Sequence, residues 1–171
     1  LVQAAPATLL EWPDFLDNAL LSLETYQALP RNLRVLRARH ISPGCLGCLP
    51  ASLTHFTILA PFKCLETETL PPALTKLSIV GTCESIVDCV ERSRLTSLEH
   101  LKMDHVDSEQ ASNLAYAISD ECMLRKVEIE TAKKSDILYQ WADAHQHLTH
   151  LKLINSEINA GLWRLKRRRN R

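Results

Sequence analysis

The sequence predicts an α/β solenoid: a curved parallel sheet on the concave face, and loops followed by helices on the convex face. Three observations predict it. First, six segments carry one apolar triplet at their first, fourth and sixth positions: Leu33-Leu36-Ala38, Leu53-Phe56-Ile58, Leu74-Leu77-Ile79, Leu98-Leu101-Met103, Leu124-Val127-Ile129 and Leu148-Leu151-Leu153. Second, their first leucines stand 20, 21, 24, 26 and 24 residues apart, a period at which each unit buries its apolar side only against its neighbours. Third, the first three units share the lead-ins Leu29-Pro30, Leu49-Pro50 and Leu70-Pro71, where proline ends any preceding helix and holds the backbone extended.

The elements follow in order. Residues 1–28 are expected to form a helical N-terminal cap over the open end of the stack. Pro13 suits a first helical position, Phe15, Leu16, Ala19, Leu20 and Leu23 recur on one helical stripe, and Trp12 is expected to pack there. Residues 29–163 hold about six repeat units. In each, a strand is expected from roughly the second to the seventh residue, its side chains alternating between core and solvent. The first two return segments, with Pro43, Gly44, Gly47 and Pro61, are too short and broken for a helix. Ile86, Val87 and Val90 predict a short helix in the third unit. Asp107-Ser-Glu-Gln110 matches a capping box before Ala111, Leu114, Ala115 and Ile118 on one face. Ser135 is placed to cap a further helix carrying Ile137, Leu138, Trp141 and Ala142.

These residues resemble the leucine-rich repeat family across roughly residues 29–160. The resemblance implies a leucine-rich repeat solenoid whose first units are like the short Leu-Pro-x-x-Leu repeats of bacterial effectors. The unit from 107 to 129 is similar to the longer, helix-bearing ribonuclease-inhibitor type. The Asn or Cys that the family places eight residues after the first leucine is replaced here by Ile41, Pro61, Thr82, Val106, Ala132 and Ser156.

Charge is balanced overall and uneven along the chain. Residues 1–30 hold Glu11, Asp14, Asp17 and Glu24 with no Lys or Arg. Arg164, Lys166, Arg167, Arg168, Arg169 and Arg171 form a basic tail over 164–171. Such a run suits nucleic acid, acidic lipid or nuclear import, but so few charges carry little specificity and a solvated chain end is the favoured reading. No apolar run reaches the ~18 residues of a membrane span. The chain starts at Leu1, so a fragment or processed chain is expected. Six cysteines permit disulfides, but the chain is too long and apolar to need them, and with no Asn-x-Ser/Thr sequon a reducing compartment, cytoplasmic or nuclear, is expected.

The repeat register assigns the solvent-facing strand positions. The third position holds Val35, His55, Lys76, His100, Lys126 and His150. The fifth holds Arg37, Thr57, Ser78, Lys102, Glu128 and Lys152, and the seventh Arg39, Leu59, Val80, Asp104, Glu130 and Ile154. Six Lys or Arg stand there against three acids. The candidate partner-binding residues are therefore Arg37, Arg39, His55, Lys76, His100, Lys102, Lys126 and Lys152. They suit a protein with acidic surface patches, whose approach they would steer. Polar side chains are also what any exposed strand carries.

Metal and catalytic readings are weaker. His55, His100 and His150 share a column on alternate strands, about 9–10 Å apart at a strand spacing of about 4.8 Å, whereas zinc needs ligands about 2.0–2.1 Å from the ion. Cys45-Leu-Gly-Cys48 lacks a second matching pair, so free thiols are expected, and His145-Gln-His147 is read as surface. There is no GxSxG, phosphate loop, HExxH or EF-hand loop. The expected function is a non-catalytic protein-protein interaction module, monomeric and without cofactor. The alternatives are the substrate-recognition segment of a ubiquitin ligase adaptor or pathogen effector, and nucleic-acid binding through the Arg-rich end. The last is disfavoured because stacking aromatics are few.

Overall fold

A computed structural model describes residues 23–39, 41–59, 62–63, 65–81, 83–84, 86–118, 122–131, 145, 147–155 and 163–164. Most of the expected N-terminal cap, the helix expected after Ser135, and the tail beyond Arg164 lie outside the described residues. The described elements are α1 (Leu23–Gln27), β1 (Val35–Ala38), a 3-10 turn (Leu46–Cys48), β2 (His55–Ile58), β3 (Phe62–Lys63), β4 (Lys76–Ile79), β5 (Cys83–Glu84), α2 (Ile86–Ser93), β6 (His100–Val106), α3 (Ser108–Ala117), β7 (Lys126–Thr131), β8 (His150–Asn155) and β9 (Trp163–Arg164).

One main sheet runs in the order β1-β2-β4-β6-β7-β8-β9. Its first six strands are all parallel, one from each repeat unit. β9 is antiparallel to β8, pairing Lys152 with Arg164 and Leu153 with Trp163. Arg164, assigned to the basic tail on charge alone, is therefore a strand residue. A second, two-stranded parallel sheet, β3-β5, joins two successive return segments.

The register is set by which side chains must leave water. Leu36, Phe56, Leu77, Leu101, Val127 and Leu151 pair across the sheet. Ala38, Ile58, Ile79, Met103, Ile129 and Leu153 pair in the next apolar row. All twelve are buried, and they share one core with Ile86, Val87 and Val90 of α2 and with Leu114 and Ile118 around α3. A slip of one residue would turn every such row to solvent, so burial holds the register. Each fully buried Leu or Ile contributes about 1.5–3 kcal/mol to that preference.

Each strand is entered through the same bonds. The Leu-Pro lead-ins are tight turns: Leu33 N–H donates to Pro30 C=O at 3.0 Å, Leu53 to Pro50 at 3.0 Å, and Leu74 to Pro71 at 3.3 Å. Leu98 and Leu148 repeat the bond to Leu95 and His145 without proline. The regular strands start at the third residue of each unit rather than the second. The second residue's carbonyl is occupied instead by two N–H groups of the following unit: Arg34 C=O accepts from Thr54 and His55, Thr54 from Thr75 and Lys76, and Thr75 from Glu99 and His100. Where a threonine stands at that position its hydroxyl adds a third donor, as Thr54 does to Arg34 C=O at 3.0 Å and Thr75 to Thr54 C=O at 3.1 Å.

The return segments change along the chain. After β1, Ser42 C=O accepts from Cys45 N–H at 3.1 Å around Pro43 and Gly44, whose φ of 88° is open to glycine. α2 and α3 occupy the later returns. α3 is closed by the expected capping box: Gln110 N–H donates to Asp107 Oδ1 at 2.7 Å and Asp107 N–H to Gln110 Oε1 at 3.2 Å. β6 is the longest strand and shifts register between Met103 and Val106, where His105 takes a φ of 57°. On α1 the buried side chain is Tyr26; Leu23, expected on the apolar stripe, is exposed. Tyr26 lies against the return that carries Cys45, and burial pushes its phenol above the ordinary value.

Candidate functional site

The solvent-facing side of the main sheet carries two adjacent columns. Val35, His55, Lys76, His100, Lys126 and His150 pair strand to strand, and so do Arg37, Thr57, Ser78, Lys102, Glu128 and Lys152. Seven of the eight candidate binding residues lie in these columns. Arg39 stands one residue past the end of β1 and is exposed. The parallel register brings together residues more than seventy positions apart, because each unit returns its strand alongside the last at the same phase.

At the centre of this face lies a depression of about 220 Å³, lined by Lys76, Ser78, His100, Lys102, Lys126 and Glu128 with Thr57, Leu77 and Leu101. Ser78 forms part of its floor. It was expected to be exposed, yet only 7% of its surface meets solvent, because its short side chain lies below the longer ones around it. Among the described residues the Ser78 hydroxyl makes no hydrogen bond.

The charges are partly paired along each strand. Lys126 Nζ is 2.8 Å from Glu128 Oε1, and Lys102 Nζ is 3.4 Å from Asp104 Oδ2. Residues two apart on a strand point to the same side, so the pairs form within one element. Lys126, above all through its hydrogen bond, holds the Glu128 carboxyl below the ordinary carboxylate value, with Lys152 and Lys102 adding to the effect against the opposing cost of burial. Lys76 makes no ion pair among the described residues. Burial first, then Lys76 and His100, holds the His55 imidazole below its ordinary value. His55, His100 and His150 are separated by Lys76 and Lys126 in their column. No group of three or more His, Cys, Asp or Glu among the described residues is placed to hold a metal ion.

The thiols sit differently. Cys45, Cys89 and Cys122 are buried thiols and Cys48 is a half-buried one. Cys64 and the side chain of Cys83 lie outside the described residues. Burial pushes the Cys45 thiol up, with Cys48 and Glu68 adding to it against a backbone hydrogen bond from Ser42. His145 is buried rather than on the surface, and it stands at the lead-in position that Pro30, Pro50 and Pro71 occupy in earlier units.

Two structural residues carried no repeat signal. Glu68 is 5% exposed and accepts Leu46 N–H at 2.9 Å and Leu65 N–H at 2.7 Å. Cys122 donates its thiol to Leu95 C=O at 3.2 Å and Leu98 C=O at 3.1 Å. Each ties one return to another, a contact between units that spacing within a unit does not reveal.

The fold and the face define an α/β protein with a six-strand parallel sheet and one polar, lysine-rich side. No helix among the described residues is long and apolar enough to cross a membrane. Comparisons with protein-family models, with curated proteins and with solved structures find no match to the chain.

Proposed function

We propose that this chain is a leucine-rich-repeat-type solenoid that works as a non-catalytic protein-interaction module, docking a partner with acidic patches on the concave face of its sheet. One observation carries the reading: the strand register gathers Arg37, Lys76, Lys102, Lys126 and Lys152 from five units onto a single surface. A rigid sheet holds these charges at fixed spacings, so an acidic segment meets them with little reorganisation. Steering by such a face is screened by salt and governs the association rate more than the lifetime of the complex.

Charge reversal tests it. Arg37→Glu, Lys76→Glu and Lys102→Glu together are expected to abolish capture of the partner in a pull-down and to flatten the salt dependence of binding. Capture and salt dependence that survive the triple reversal would remove the sheet face from the function.

A further inference from the structure

The geometry points to the central depression as a receptor for a single phosphate monoester, carried on a phosphoserine or phosphothreonine of the docked partner. This rests on the docking reading above and names the group that the face recognises.

Three features select phosphate. The first is charge. The depression is lined by three lysines, Lys76, Lys102 and Lys126, and by one carboxylate, Glu128, while Asp104 reaches Lys102 at 3.4 Å from outside the lining. A phosphate monoester brings about −1.5 to −2 near pH 7, whereas an Asp or Glu side chain brings half that. The second is donor geometry. Lys76, Lys102 and Lys126 line it from three adjacent strands, and so does Ser78, a residue more than nine-tenths buried whose hydroxyl makes no hydrogen bond among the described residues. A tetrahedral group with three free oxygens uses donors from the walls and the floor at once; a planar carboxylate does not. The third is a competing carboxylate already in place. Glu128 holds Lys126 at 2.8 Å, so an incoming phosphate exchanges that carboxylate for itself, while Lys76 is available throughout.

The same features favour a peptide over a membrane. Asp104, Glu128 and Glu130 lie among the lysines on this face and would oppose a uniformly anionic lipid surface. A peptide sets one phosphate into the depression and directs other groups to those acids.

The test uses the full chain and fluorescence anisotropy with degenerate peptide pools that share a fixed central phosphoserine. Parallel arms use the same pool with serine, the same pool with glutamate, inorganic phosphate as competitor, and phosphatidylserine-phosphatidylcholine vesicles. The phosphorylated pool is expected to bind about tenfold tighter than either other pool, the worth of about one charge-assisted hydrogen bond. Inorganic phosphate should displace it and vesicles should not bind. Lys76→Met should weaken it about tenfold, and Glu128→Gln should tighten it, a gain that misfolding cannot produce. If the glutamate pool binds as tightly as the phosphorylated one and Lys76→Met weakens both, the docking reading stands and the phosphate receptor is overturned. If no pool binds, or only vesicles do, both are overturned.

Discussion

Glu68 accepts the backbone N–H of Leu46 at 2.9 Å, across a separation of 22 residues and between two successive return segments. Its second carboxylate oxygen takes Leu65 N–H at 2.7 Å, so one buried side chain closes its own return and anchors the 3-10 turn before it. Losing the carboxylate leaves two N–H groups to find other partners. Glu68→Ala is expected to lower unfolding stability by about 1–3 kcal/mol, and Glu68→Gln to recover only part of it, since the amide offers one acceptor oxygen. Urea denaturation monitored by circular dichroism checks this; an unchanged midpoint in Glu68→Ala would show that the bonds add nothing.

Cys122 makes the comparable link later in the chain, through its thiol to the Leu95 and Leu98 carbonyls. Cys122→Ser keeps a donor and Cys122→Ala removes it, so the alanine variant should be less stable by about 1 kcal/mol. Burial pushes this thiol up from 9.0 to about 11, against opposing backbone hydrogen bonds at Leu124 and Leu98. The unfolded chain therefore releases its proton before the folded one. The contribution is fully present below pH 9.0 and is lost as pH rises to about 11, and Cys122→Ser should flatten that decline. In the native protein at pH 8, iodoacetamide should modify half-buried Cys48 well before Cys122; equal rates would contradict the burial.

Asp107 and Gln110 close α3 with reciprocal bonds at 2.7 and 3.2 Å. Asp107→Ala should cost about 1 kcal/mol and increase hydrogen exchange in the first turn of α3, with little change in β6 or β7. Protection that stays level at Ser108–Gln110 would argue against the cap.

The two perturbed groups on the sheet face titrate low for opposite reasons. Lys126 favours the charged form of Glu128, while burial and the cations Lys76 and His100 disfavour the charged form of His55. Lys126→Met should raise the Glu128 midpoint and Lys76→Met the His55 midpoint, each followed by NMR. For both, the folded state holds on to its proton less than the unfolded chain does, so stability falls as pH falls: through the carboxylate range for Glu128, and below the ordinary imidazole value for His55. Both groups are partly exposed, so each effect should stay under about 1 kcal/mol. A Glu128 midpoint that ignores Lys126→Met would contradict the ion pair.

Much of the strand order was legible because the apolar triplet and the exposed positions obey one period. Leu77 lies between Phe56 and Leu101, and Lys76 between His55 and His100, as counting from the first leucine of each unit predicts. The capping box at Asp107 was legible for a similar reason: both partners lie within four residues. Ser78 was misplaced because alternation assigns a side chain to a face without saying how far its neighbours rise above it. His145 was misplaced because a polar side chain between repeat units carries no signal of burial in the sequence. The antiparallel pairing of Trp163 and Arg164 to β8 carries no repeat signal at all.

By itself the sequence determined the α/β class, the phase of six strands and the set of side chains that share the open face, since apolar burial at a fixed period leaves one economical register. Only the tertiary structure decided how those side chains stand to one another. It paired Lys126 with Glu128 and Lys102 with Asp104, left Lys76 without an ion pair among the described residues, and set Ser78 at the floor of a depression. It also assigned Glu68 and Cys122 to bonds between units. Periodicity reports direction along a strand, whereas depth, pairing and contacts between returns depend on distances that exist only once the chain is folded.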